Sequence, residues 1–402
     1  MKEIKNIVIA DYQACSADAK GGTEIASYRI AEILKKNAYT VFNLYWHGPQ
    51  PGIISPYEKV KKIDAGEGFV GEVSEFLKEN RIDAMIFMGS LKWIPRIRKA
   101  ITLCGQSVKL FLMLHYVPGR EIMEFRRSLL ADMIRLKPSK IDNYINFIIC
   151  PVLRWSKKRW LSGRYRRAMD TSDGIILLSE GYPSLFQKIA GIRRPDMFTA
   201  IPNLYSINNE KIPADIAKKE KRVLLLSRLD EKQKRISHII RIWKQIEDNP
   251  LCHDWVLDIV GSGRYLESYR KLAEKLGLSR IFFHSWQDSA PYLERASLFV
   301  MTSLYEGLSL SLIEAMSHGC VPVVYGSYPA AYDVIDNGRN GFIIDGFGNM
   351  GEFAQKLTLL MGDMHLRCKM AHEAETSVEE KFNAQRIGKI WSDFLSQKNE
   401  GM

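Results

Sequence analysis

Residues 296–326 read ASLFVMTSLYEGLSLSLIEAMSHGCVPVVYG. Two apolar runs, LFVMTS (298–303) and VPVVYG (321–326), flank a loop with glycine and serine and one helix-length segment. Runs this short and apolar at nearly every position read as strands buried on both faces, and a helix between them makes the connection a parallel crossover. The pattern extends both ways along the chain. RVLLLS (222–227), WVLDIVG (255–261), RIFFHS (280–285) and GFIID (341–345) continue it in the second half. IKNIVIA (4–10), YTVFNLYW (39–46), AMIFMG (84–89), VKLFLMLH (108–115) and GIILLS (174–179) form an earlier series, with a helical pattern over Glu24–Lys36. The fold class is therefore α/β: one parallel-sheet domain over residues 1–204 and a second over 205–383, because the series restarts after a polar stretch at 205–221. The last segment, 384–402, is amphipathic around Ile387, Ile390, Trp391 and Phe394 and is expected to pack back on the first domain.

At 402 residues, 46% of them hydrophobic and 26% charged, the chain can bury two cores and is not a disordered one. Cys15, Cys104, Cys150, Cys252, Cys320 and Cys368 stand singly, with neither a zinc-type pair nor a disulfide framework. The N-terminus lacks the layout of a signal peptide, and no stretch approaches the length of a membrane span. A cytoplasmic location fits, peripheral on the inner membrane face if the basic segment acts there. That segment holds most of the +11 net charge. RWSKKRWLSGRYRR, Arg154 to Arg167, carries seven cations (Arg154, Lys157, Lys158, Arg159, Arg164, Arg166, Arg167) and no acid, with Trp155, Trp160 and Tyr165 interleaved. Cations with amphipathic aromatics suit an anionic membrane surface. The same composition also fits a solvated basic helix, or attraction to nucleic acid, the least favoured of the three.

In open α/β sheets, ligands sit beyond the carboxyl ends of strands. Two of those loops are glycine-rich: Gly21-Gly22-Thr23-Glu24 opens a helix, and Gly261-Ser262-Gly263 follows WVLDIV. Neither is a dinucleotide fingerprint, because Gly263 lacks a third glycine and the strand ends at Trp46 and His284 carry no ribose-binding acid. There is no P-loop, and no D-x-D pair to hold a metal-bound sugar nucleotide. The loop after RVLLLS reads SRLDEKQKR, in which Arg228 and Lys234 could flank a diphosphate, a bidentate fork beside a compact charge. In SLYEGLSLSLIEAMSHG, Glu306 precedes a helix in a loop, while Ser311 to Glu314 reads as a capping box with Glu314 in the first turn. Amides of that turn could bind phosphate, and the two carboxylates could accept hydrogen bonds from sugar hydroxyls.

The Glu306–Glu314 spacing, with GGTE at Gly21, IPN at Ile201, SRLDEKQK at Ser227, VGSG at Val260 and the block from Ala296, resembles the retaining glycosyltransferases of family 4 over nearly the whole chain. The resemblance implies the GT-B architecture, two Rossmann-like domains facing across a cleft that closes to exclude water, with the acceptor on the first domain and the nucleotide sugar on the second. It further implies that Arg228 and Lys234 stabilise the departing diphosphate, that Glu314 binds the ribose, that Glu306 contacts the transferred sugar, and that His115 lies near the reaction centre. The amides of Gly307, Leu308, Ser309, Leu310, Ser311 and Leu312, the glycines Gly21, Gly22, Gly261 and Gly263, and the ring of Trp286 would complete the donor site. Arg235 stands where the family usually has glycine. No carboxylate presents itself as a covalent nucleophile, so a front-face, metal-independent transfer with retention is expected, with no cofactor beyond the donor substrate. The expected partners are a nucleotide-sugar donor, a glycan or lipid-linked acceptor of cell-envelope polysaccharide synthesis, and an anionic membrane surface, without nucleic acid. A sugar-nucleotide epimerase on the same architecture, and a non-catalytic scaffold, are the alternatives.

Overall fold

The computed structural model describes residues 3–16, 22–49, 55–121, 140–205, 216–286 and 288–400. The chain divides into two compact units, Met1–Ile207 with Ala384–Met402, and Asn208–Asn383.

In chain order, unit 1 contains β1 (Asn6–Gln13), α1 (Gly22–Lys36), β2 (Thr40–His47), β3 (Lys59–Lys62), α2 (Phe69–Glu79), β4 (Ala84–Phe87), α3 (Ile94–Cys104), β5 (Lys109–Leu114), α4 (Lys140–Thr171), β6 (Gly174–Leu177), α5 (Tyr182–Ala190) and β7 (Phe198–Ala200). The described residues form one seven-stranded parallel sheet ordered β3-β2-β1-β4-β5-β6-β7. The order reverses between β1 and β4, so their carboxyl ends frame the crevice in which such sheets hold ligands. All four residues of β4 are buried, as are those of β6, which is why these strands read as unbroken apolar runs.

Unit 2 contains β8 (Glu220–Leu226), α6 (Ile236–Glu247), β9 (Val256–Val260), α7 (Leu266–Lys275), β10 (Ile281–His284), α8 (Ala290–Arg295), β11 (Ala296–Met301), α9 (Leu310–Ser317), β12 (Val321–Tyr325), α10 (Ala330–Val334), β13 (Phe342–Ile344), α11 (Met350–Gly362) and α12 (Met364–Phe382). Its parallel sheet runs β10-β9-β8-β11-β12-β13, reversing between β8 and β11. Its core gathers Val223 and Leu225 of β8, Leu257 and Ile259 of β9, and the buried stripe Ile236, Ile239, Ile240, Trp243 of α6.

The chain then returns to unit 1 as α13 (Ala384–Glu400). Ile387, Trp391, Phe394 and Leu395 are buried, Ile390 is half-buried, and Phe394 meets Phe111 of β5 edge-on at 4.9 Å. Asn37, just past α1, donates through Nδ2 to the Gly388 carbonyl at 2.8 Å and to Ser392 Oγ at 3.0 Å.

Two strands have no counterpart in the sequence reading. β3 is KVKK, an edge strand whose lysines guard its open side, and β7 spans only Phe198–Ala200. The first helix opens at Gly22, within the GGTE stretch expected to open it, and runs to Lys36. The described cysteines are unpaired, and Cys150 lies where side chains are not described.

Candidate active site

Two loops of unit 2 at the β8/β11 switch point are laced together. Lys234 Nζ donates to Glu306 Oε1 at 2.6 Å, and both side chains are largely buried. Gln233 donates through Nε2 to Glu306 Oε2 at 3.2 Å and to the Tyr305 carbonyl at 3.1 Å, while its Oε1 accepts from Arg228 at 3.1 Å. The backbone repeats the link: Leu304 N donates to the Gln233 carbonyl, and Thr302 Oγ1 donates to the carbonyls of Lys234 and Arg235. Arg228 remains exposed, with Asp230 3.9 Å away. The loop therefore holds one cation fixed against a carboxylate and leaves another reaching into solvent, a pair able to meet an anionic ligand. Gln233 was not singled out in the sequence, where a glutamine inside a charged loop carries no spacing signal.

Arg235 caps α6 in the left-handed region, at φ 52° and ψ 43°. A non-glycine residue there costs about 1 kcal/mol, which accounts for a glycine preference at the position. Its guanidinium turns to Glu231, 3.5 Å away, and Glu231 also accepts from Ser237 Oγ and the Tyr269 hydroxyl.

Gly261 and Gly263 were expected to let backbone approach a ligand. What approaches them is the neighbouring loop: a Cβ on Gly261, at φ +152°, would collide with the Ser227 carbonyl oxygen, and one on Gly263 with that of Leu229. Leu229 N donates to the Ser262 carbonyl at 2.8 Å. The glycines thereby set the backbone on either side of Arg228. Trp286, just beyond β10, is exposed.

The capping box expected at Ser311–Glu314 is not formed. Ser309 is the N-cap, its Oγ accepting from Leu312 N at 3.4 Å and lying 3.1 Å from Ser311 Oγ. With Leu310 first in α9, Glu314 falls in the second turn rather than the first. The start moves two residues because Ser309 is the serine with extended backbone (φ −74°, ψ 111°), the conformation a cap requires. Gly307 and Leu308 lie in the loop between Glu306 and that cap, and the first-turn amides of Leu310 and Ser311 face outward from the helix start, where a helix has no acceptors of its own.

In unit 1, Gly21 lies outside the described residues, whereas Gly22 opens α1 with nothing within 4 Å of where a Cβ would stand. His115 follows β5, and both ring nitrogens are buried without a hydrogen-bond partner among the described residues. Desolvation lowers its pKa to about 4, so the ring is neutral at neutral pH. Asp11, in β1 at the switch point, is another such group, which the sequence reading did not name. It is 6% exposed; Oδ1 accepts from Tyr12 N at 2.6 Å, and Oδ2 has no partner among the described residues. Burial first, and the charge of Glu24 after it, push its pKa up to about 7, against the opposing Tyr12 hydrogen bond.

The basic segment lies on α4, whose side chains are described from Trp155 on, so that of Arg154 lies outside. Leu161, Tyr165, Ala168 and Met169 face inward, while Trp155 and Trp160 are 61% and 54% exposed. Lys158, Arg159, Arg166 and Arg167 are exposed, and Lys157 and Arg164 half-buried. Arg159 stands 5.5 Å from the Trp155 ring centre and Arg164 4.5 Å from that of Trp160. Tyr165 departs from the expected surface array: it is fully buried against Phe186, and its hydroxyl accepts from Gly119 N at 2.8 Å. Among the described residues, no helix is long and apolar enough to cross a membrane, and no group of three or more His, Cys, Asp or Glu is placed to hold a metal ion.

Residues 206–377, essentially unit 2, match the family model described as glycosyl transferases group 1. A poly(glycerol-phosphate) alpha-glucosyltransferase of Bacillus subtilis (strain 168) is 26% identical over 315 residues, which is 77% of this chain but 43% of that protein. An uncharacterized glycosyltransferase of Haemophilus influenzae is 24% identical over 391 residues, 93% of this chain and 96% of that one. Among solved structures, that of Anabaena HepE in complex with UDP superposes with a TM-score of 0.74 at 18% identity, covering 98% of this chain and 100% of the other. That likeness establishes the two-unit GT-B fold, residues 206–377 carry the match to glycosyl transferases group 1, and the two relatives named above are also glycosyltransferases.

Proposed function

We propose that the protein moves a sugar from a nucleotide-diphosphate sugar to a hydroxyl of a glycan or lipid-linked acceptor in cell-envelope polysaccharide synthesis, with retention of anomeric configuration. The carrying observation is the Lys234–Glu306 pair, tied through Gln233 to Arg228 at the switch point of unit 2. In this reading Arg228 and Lys234 take the negative charge that develops on the leaving diphosphate, the kind of contribution that usually dominates such catalysis. Glu306, already bound to Lys234, accepts from hydroxyls of the transferred sugar. Amides at Ser309–Leu312 and the Glu314 carboxylate hold sugar hydroxyls, phosphate and ribose, and Trp286 stacks on the base. His115, neutral and with both nitrogens unpartnered, binds a hydroxyl beside the anomeric carbon. The departing diphosphate takes the acceptor proton as the glycosidic bond breaks on the same face, so no protein nucleophile and no metal enters the reaction. A UDP-sugar is the first donor to try, because the HepE structure contains UDP.

The exposed tryptophans and cations of α4 fit a membrane surface carrying the lipid-linked acceptor. The reading is tested by thermal shift with UDP-, GDP-, ADP- and dTDP-sugars, because a ligand of the folded state raises the unfolding temperature. One nucleotide giving a shift that Glu314→Ala abolishes supports it, and NMR of the product's anomeric centre then checks retention. No shift with any nucleotide sugar, alone or with anionic vesicles, overturns it.

A further inference from the structure

We infer that Asp11 forms a binding site at the β1/β4 switch point of unit 1 for a hydroxyl of an uncharged sugar or polyol, the part of the acceptor that unit 1 grips. The inference rests on the proposed transfer to a hydroxyl acceptor and adds the chemistry of what is held.

Asp11 lies in the last part of β1, opposite Tyr45 of β2, and its neighbour Ala10 pairs with Phe87 of β4. This is where the strand order reverses and where a doubly wound sheet leaves its crevice. The carboxylate is buried, with one oxygen lacking a partner among the described residues. Buried polar atoms in folded proteins are almost always bonded, so an orphan of this kind leaves a place for a bonding partner from outside the fold, a water or a ligand hydroxyl.

The surroundings define what that ligand carries. Among the described residues, the titratable groups acting on Asp11 are Glu24 from α1, Cys15 just past β1, and Tyr57 ahead of β3, all acids. Asn43 of β2 is already committed, donating to the Ile9 carbonyl and accepting from Cys15 N. A phosphate here would meet two carboxylates. A hydroxyl group donates to the free oxygen and brings no charge.

A second orphan supports a polyhydroxylated ligand. His115 directly follows β5, two strands from β1 across β4, and both its nitrogens are unpartnered among the described residues. Adjacent strands lie about 4.8 Å apart, so the two strand ends are separated by roughly 10 Å, the span of one sugar ring with its hydroxyls between a carboxylate and a neutral imidazole.

The test compares wild type, Asp11→Asn and Asp11→Ala. Binding of methyl glycosides of glucose, galactose and N-acetylglucosamine, and of the corresponding sugar phosphates, is followed by ligand-detected NMR at millimolar concentration. Unfolding temperatures are measured at about pH 8, with and without UDP. Wild type is expected to bind at least one methyl glycoside more tightly than its phosphate. Both variants should weaken that binding about tenfold or more, the usual scale for a hydrogen bond to a charged group. The UDP-induced shift should be unchanged, and Asp11→Asn should melt several degrees higher, because it removes a buried charge without changing shape. Variants that keep glycoside affinity within twofold, sugar phosphates that bind more tightly than glycosides, or wild type that binds no glycoside would each overturn the assignment. So would a lower melting temperature in both variants, which would make Asp11 a structural residue. A wild type that gives no UDP shift counts against the proposed donor reading alone, and the glycoside comparison still decides this one.

Discussion

Lys234 and Glu306, 72 residues apart in sequence, meet at 2.6 Å with little of either side chain exposed. Breaking a buried pair from one side strands the other charge, at about 3 kcal/mol or more. Lys234→Ala is therefore expected to lower stability by that order and to reduce transfer at least a hundredfold. The double variant Lys234→Met with Glu306→Gln should recover much of the stability in denaturant melts and none of the activity. Activity recovered together with stability would show the pair to be a brace only.

Arg228 and Arg235 should separate cleanly. Arg228→Ala is expected to keep wild-type stability, because its side chain is exposed, and to lose about a hundredfold in kcat/KM. Arg235→Gly relieves the left-handed backbone and should leave activity within a few fold. Steady-state rates with the donor found by thermal shift decide both. A loss at Arg235 as large as that at Arg228 would place its charge on the diphosphate.

Gly261→Ala is expected to be severe for a reason unrelated to any ligand, because the new methyl group meets the Ser227 carbonyl. Stability should fall by about 2 to 4 kcal/mol, on the scale of overpacking and backbone strain, and donor affinity should fall with it as Arg228 is displaced. Gly22→Ala, with open space around it, should cost no stability; weaker donor binding in that variant would show that a ligand approaches α1 there.

Asp11 and His115 pull stability in opposite directions with pH. Asp11 has its folded pKa raised from 3.8 to about 7, so the fold holds more protons than the unfolded chain between those values and loses stability as pH rises through them, in all by about 4 kcal/mol. His115 is lowered from 6.5 to about 4, so the fold holds fewer protons there and loses stability as pH falls from about 6.5 to 4, by about 3 kcal/mol. Urea melts of Asp11→Asn against pH should remove the first slope, and those of His115→Gln the second. Curves that coincide with wild type would contradict these environments.

Charge reversal of Lys157, Lys158 and Arg159 should release the protein from anionic vesicles, and Trp155→Ala with Trp160→Ala should weaken binding further. Stability should change little, as these side chains project from α4 rather than into the core. Sedimentation with vesicles of defined composition measures this, and retained binding in both variants would assign the face another role.

The parallel strands were legible because burial on both faces leaves continuous apolar runs, as in LFVMTS and GIILLS. KVKK and FTA were not, being an edge strand of mixed character and a piece too short to carry a pattern. Arg228, Lys234 and Glu306 were legible as residue types at loop positions, whereas the bond joining Lys234 to Glu306 exists only once β8 and β11 lie side by side. Serines 309 and 311 offer equivalent caps on paper, and the backbone angle at Ser309 chooses between them. Tyr165 alternates with cations in the sequence but falls on the inward side of α4. Asp11 is one acid after IVIA, and what sets it apart is a missing partner, which is a property of three dimensions.

The return of α13 to unit 1 fixes an order of events in synthesis. The seat for Trp391 and Phe394 is built by residues made early, such as Phe111, but its occupant leaves the ribosome only after the whole of unit 2. Domains tend to fold as units while the chain grows. Unit 2 can therefore be finished while the first sheet still exposes an apolar seat, and a nascent chain arrested before Ala384 would offer that seat to chaperones.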